Sequence, residues 1–156
     1  MAIKAFSFAR FANISSIQSA SPEQLDLVPE DFNNSIRWNA GHILAISESL
    51  LKHSERYVPV LPPAYKDFFF MGTSPKDWKE DPPSIEDILV MSAKQVESIQ
   101  KLFENDAHSP LKQPFELKGH TFDNLTEIIS FITFHEGLHL GAIRTLLKAT
   151  SSFSNQ

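Results

Sequence analysis

Two histidines four residues apart, His135 and His139, stand in a stretch whose apolar residues recur in steps of three and four: Leu125, Ile128, Ile132, then Ala142 and Leu146. On a helix that spacing puts both imidazoles on one face, where the pattern calls for core aliphatics. A buried neutral imidazole needs a partner for each ring nitrogen, and two together are costly without one. A divalent metal ion shared between them removes that cost. The third ligand must come from earlier in the chain, because none of the residues after His139 is His, Asp or Glu. His42 is the candidate, flanking a second seam of Ile36, Asn39, Ile43, Ile46 and Leu50. Glycines support the choice: of only five, Gly41, Gly137 and Gly141 fall in helical stretches beside these histidines. A helix-interior glycine costs about 1 kcal/mol relative to alanine and is tolerated where backbones approach closely or a ligand needs room. Three imidazoles on facing helices leave a coordination position open, as catalytic rather than structural ions require.

The string His135-Glu136-Gly137-Leu138-His139 matches the H-E-x-x-H pattern of zinc proteases, but in those enzymes the third ligand follows downstream. Glu136 lies one step off the seam. It reads either as a solvated or ligand-supporting carboxylate or as a catalytic base. His53, His108 and His120 fall at helix ends or in connections and are expected at the surface, with His120 a remote fourth ligand. There is no cysteine, which removes disulfides, thiolate metal sites and a protein thiol nucleophile. No nucleophile elbow, phosphate loop or dinucleotide fingerprint occurs. A reacting thiolate would have to arrive as a small molecule and be activated by the metal.

The elements that must position these residues read as four long helices. The first covers residues 3–20, and Ser21-Pro22-Glu23-Gln24 then opens a short turn. The second covers 34–53. Residues 59–83 form a long connection with six prolines, the run Phe68-Phe69-Phe70 and the turn Gly72-Thr73-Ser74-Pro75. That aromatic run suits a lid, core packing or a subunit interface. The third helix covers 84–105, with Asp87 placed to cap Ser84 and a seam of Ile85, Leu89, Ser92, Val96, Ile99 and Phe103. A second connection spans 106–120, the fourth helix 122–149, and a serine-rich, frayed tail 150–156. Nothing reads as a strand. The expectation is an all-α four-helix bundle with long connections, one domain over residues 1–156.

Thirteen phenylalanines among 156 residues imply large flat side chains in a core or pocket. The net charge of −5 and the lack of a basic run argue against a nucleic-acid partner. No stretch has the roughly 20 apolar residues of a membrane span, and no signal peptide is read at the N-terminus, so a cytoplasmic protein is expected.

Three segments carry a resemblance: Asn34-Ser35-Ile36-Arg37-Trp38-Asn39-Ala40-Gly41-His42-Ile43, the loop Gly72-Thr73-Ser74-Pro75, and Phe134-His135-Glu136-Gly137-Leu138-His139-Leu140-Gly141. With the order of helices, the chain resembles the DinB-like metal-binding four-helix bundles. The resemblance implies that His42, His135 and His139 are the three ligands of a divalent ion such as zinc or nickel. Relatives in the wider superfamily include S-transferases and isomerases that use low-molecular-weight thiols, so it also implies a thiol co-substrate, a small-molecule substrate and a homodimer. The preferred function is a metal-dependent thiol S-transferase. The alternatives are a non-catalytic metal or small-molecule binding protein of the stress response, and a metal-dependent hydrolase with Glu136 as base.

Overall fold

The computed structural model describes residues 2–151. Its elements are α1 (Ala2–Gln18), α2 (Pro22–Asp26), α3 (Ile36–Leu51), α4 (Tyr65–Phe69), α5 (Ile85–Asp106), β1 (Pro110–Leu117), β2 (His120–Asn124) and α6 (Leu125–Ala149), with a 3₁₀ turn at Pro75–Asp77. The long helices start where side chains can take up their free amides. Ser35 accepts from the Trp38 amide, Ser84 from that of Asp87, and Asn124 from that of Glu127. Among the described residues, no helix is long and apolar enough to cross a membrane.

The second connection is not a loop. Residues 110–124 fold into an antiparallel hairpin in which Leu117 pairs with His120 and Phe115 with Phe122. Its two turn residues, Lys118 and Gly119, both have positive φ, 49° and 81°, the two-residue turn whose twist matches that of a hairpin. The expectation of no strand is thus corrected. The ladder is irregular between Pro110 and Phe115, where Pro114 cannot donate, and this is what hid the alternation. The hairpin also takes residues 122–124 from the expected fourth helix, so Asn124 becomes the cap and Leu125 the first helical residue.

Helices α1, α3, α5 and α6 pack around one interior. Helix α1 runs parallel to α6: Arg10 and Asn13 meet Glu136, and Gln24 beyond its end meets Thr150. Helix α3 runs antiparallel to α6, its N-terminal Ile36 and Ala40 clustering with Ile143 and Leu146, and its Ile46 and Leu50 with Leu125 and Ile128. Between these two apolar clusters lies a polar layer drawn from all four helices. The Arg10 guanidinium donates to Glu136 Oε1 at 2.7 Å, Gln95 Oε1 at 3.1 Å, Ser47 Oγ at 3.3 Å and Ser92 Oγ at 3.4 Å. Gln95 continues the layer to Glu48, which also accepts from Tyr57 and from the Val60 amide and so ties the long connection to α3.

This layer moves the seam of α5. The helix buries Ile88, Ser92, Gln95, Ile99 and Leu102. Of the expected seam, Ser92 and Ile99 hold, while Ile85, Leu89, Val96 and Phe103 lie at its half-buried margin. Thr150, expected to fray, is fully buried and its hydroxyl caps the Leu146 carbonyl. Ser151 is exposed, and residues 152–156 of that expected tail lie outside the described residues.

Candidate metal centre

His42 on α3 and His135 and His139 on α6 come together as the spacing predicts. One ring nitrogen from each lies within 4.8 Å of the other two. His135 Nε2 and His139 Nε2 are 3.2 Å apart. Two tetrahedral ligands at zinc–nitrogen distances sit about 3.4 Å apart, so this pair is spaced for a shared ion.

Neighbours fix which nitrogen two of the rings offer. His42 Nδ1 lies 2.7 Å from the Phe69 carbonyl, which can only accept, so Nδ1 carries the proton and Nε2 the lone pair. His139 Nδ1 lies 2.7 Å from Asn39 Oδ1. The Asn39 amide group donates to the Ser35 carbonyl at 2.8 Å, which settles its orientation and makes its oxygen an acceptor. His139 therefore also turns a bare Nε2 inward. Lone pairs that face one another call for a cation between them. His135 is different: its Nδ1 is buried and has no partner. The donor set of three neutral imidazoles, two oriented by outer partners, could hold a divalent metal ion.

The cradle behind His42 explains one glycine. A Cβ on Gly41 would fall 2.5 Å from Phe69 Cδ1 and Cδ2, so only glycine lets α4 dock closely enough to deliver the Phe69 carbonyl. Trp38 stacks on His42, with centroids 4.4 Å apart and planes 16° apart, and its indole N–H donates to Thr73 Oγ1 at 2.9 Å. Thr73 is thus the working residue of the Gly72-Thr73-Ser74-Pro75 turn. Of the aromatic run, Phe69 is fully buried against Gly41 while Phe68 and Phe70 are half-buried. The other two glycines are corrected. Added Cβ atoms at Gly137 and Gly141 meet nothing within 4 Å, and both residues are exposed.

Burial keeps all three rings neutral. It lowers the His42 pKa, takes that of His139 to about 4 with help from His42, and takes that of His135 to about 3 with help from His139, His42 and Arg10. His135 and His139 are half-buried at the margin of α6, whereas Ile129, Ile132, Glu136 and Ile143 occupy its buried centre.

Glu136 is therefore not solvated. It is 0% exposed and salt-bridged to Arg10, itself 2% exposed, and its Oε2 accepts from Asn13 at 2.8 Å. Both oxygens are engaged with α1, and the residue is outside the histidine group. As placed, the carboxylate adds no oxygen to the histidine group. His108 and His120 are exposed, and His53 is half-buried, its Nδ1 bonded to the Gln113 carbonyl of the hairpin; none joins the group. Arg10 and Asn13 do not stand out among the expected site residues, Asn39 does so only as a seam position and Phe69 only within the aromatic run. Asn39 and Arg10 did carry a signal, each being a polar residue in an apolar stretch. Phe69 acts through its backbone and carried none.

The DinB superfamily profile matches residues 5–143, from α1 through the histidine pair. The chain belongs to that superfamily. No curated protein matches it. In this DinB-superfamily chain the matched span includes all three histidines, Asn39, Gly41 and the Arg10–Glu136 pair.

Proposed function

We propose that this protein is a divalent-metal enzyme that transfers a low-molecular-weight thiol to a small organic acceptor, built as one four-helix-bundle domain. The observation that carries this reading is the convergence of one ring nitrogen from each of three imidazoles, with two of the rings oriented from behind. Zinc or nickel bound there supplies Lewis acidity that lowers the pKa of a thiol reaching the open position. The thiol loses its proton to solvent. Its sulfur then forms a bond to an electrophilic carbon of the acceptor, and the leaving group departs with the bonding electron pair. The chain's own residues hold the site rather than react: Phe69 and Asn39 keep two rings in the required tautomer, Trp38 walls off His42, and α6 supplies the other two imidazoles. The lack of cysteine leaves the nucleophile to the thiol. A cytoplasmic homodimer without nucleic-acid or membrane partners completes the proposal, on the acidic balance and the family resemblance.

The test is turnover of an electrophile panel with several cellular thiols on metal-loaded protein. His139→Ala should abolish it, and turnover unaffected by that substitution refutes the proposal.

A further inference from the structure

One face of α6 has a composition that the metal centre does not account for. Phe131 lies one turn before His135 and Leu138 one turn after it, so His135 is flanked by both along the helix surface. Phe134 stands beside them, its ring 6.2 Å from that of Phe131. Phe134 is 60% and Leu138 56% exposed, large values for side chains of this size one residue from metal-binding positions. The other side of the histidine pair is closed by Glu136 and Arg10, so the exposed margin of the pair is the one bearing these apolar groups. The rings continue outward. Phe131 lies 5.1 Å from Phe122 and 5.8 Å from Phe115, so the hairpin extends the strip away from the metal centre.

Charge narrows what such a strip can hold. Between residues 128 and 143 the only Asp, Glu, Lys or Arg is Glu136, which is buried and paired. The α6 face of the strip, with neither a cation nor an anion of its own, gives no compensation for desolvating a charged ligand, and it binds neutral apolar groups by area alone.

We propose that Phe131, Phe134 and Leu138 form the acceptor subsite of the metal centre and that it selects an uncharged aromatic or alkyl group. This rests on the thiol-transfer reading above and adds the substrate class: the acceptor's apolar body lies along α6 toward the hairpin, with its electrophilic carbon beside His135.

The test separates the two readings. N-phenyl-1-naphthylamine, a neutral fluorophore, is titrated into the protein without metal, in parallel with its anionic relative 8-anilino-1-naphthalenesulfonate. The neutral probe should bind at least about tenfold more tightly, since only it avoids desolvating a charge without a partner. Phe134→Ser and Leu138→Ser should each weaken it several-fold, while Phe8→Ser, on an exposed site of α1, should not. Equal or tighter binding of the sulfonate, or indifference to Phe134→Ser and Leu138→Ser, overturns the inference. Sedimentation of the same variants supplies a second refutation. If the parent is a dimer and Phe134→Ser makes it a monomer, the strip belongs to a second copy of the chain. A cobalt titration read by its visible absorption reports separately on the histidines, so loss of metal binding refutes the metal reading and leaves the fluorophore result standing.

Discussion

Replacing Gly41 with alanine adds one methyl group that touches no metal ligand, yet it should damage the metal centre. The new Cβ would lie 2.5 Å from two Phe69 ring atoms and closer still to Cγ. Ordinary carbon contact needs about 3.5–4.0 Å, so the ring must retreat by roughly 1 Å or more. Phe69 is fully buried and has no room to do so within a packed core. Overpacking of this kind costs about 1–3 kcal/mol, against which alanine returns about 1 kcal/mol of helix propensity. The net loss is therefore about 0–2 kcal/mol, or a melting point lower by up to about 8 °C for a chain of this size. The larger effect should be on metal affinity. Moving α4 by that amount breaks the 2.7 Å contact between the Phe69 carbonyl and His42 Nδ1. Loss of such an outer partner weakens metal binding by about 10–100-fold. The assay is a competitive zinc titration of the purified variant, with circular-dichroism melts in chelator for the stability term. Gly137→Ala and Gly141→Ala are the controls. Neither Cβ meets an atom within 4 Å, so both should raise the melting point and leave affinity unchanged. If Gly41→Ala binds zinc as tightly as the parent, the Phe69 carbonyl does not orient His42 and the description of the cradle is wrong.

Metal should stabilise the parent protein by about 2.7 kcal/mol at free metal one hundred times the dissociation constant. In thermal melts His42→Ala should lose most of that gain, whereas His53→Ala and His108→Ala should keep it. The metal-free protein should lose stability as pH falls. The folded pKa values of His135 and His139 are about 3 and about 4. From about pH 6.5 downward the unfolded chain therefore takes up protons that the folded chain refuses, at about 1.4 kcal/mol per pH unit for each histidine. Urea midpoints between pH 7 and 5 in chelator check this, and His135→Gln should reduce the slope by one proton's worth. Arg10→Met leaves the buried Glu136 carboxylate without its cation and should cost about 3–5 kcal/mol in urea unfolding, with Glu136→Leu added to it recovering most of the loss.

The histidine centre was legible because its signal is local. Two of its histidines share one helix turn, and the third sits beside a glycine whose cost has a visible cause in Phe69. What was not legible depends on distant partners. The step-of-three-and-four pattern placed His135 at the centre of the buried face and Glu136 beside it, whereas the helix is rotated so that Glu136 is central. The cause is Arg10, 126 residues away, which makes the buried carboxylate tolerable. The same guanidinium draws Gln95 inward and displaces the expected seam of α5. The hairpin escaped notice because Pro114 interrupts its alternation and its turn reads Lys118-Gly119, in which lysine rather than asparagine takes the left-handed position.

The parallel run of α1 and α6 has a consequence for biosynthesis. Helix α1 leaves the ribosome first, but the partner of its buried arginine follows 126 residues later. At translation rates of about 5–20 residues per second that interval is roughly 6–25 s. During it α1 has no Glu136 to neutralise Arg10, and the interior face it will share with α6 has no cover. The nascent chain can pair α3 with α5 in the meantime, but the interior cannot close. Closure must wait for the last long helix, and that same helix brings two of the three imidazoles. The fold and the metal centre should therefore be completed in one late event, once α6 has been made.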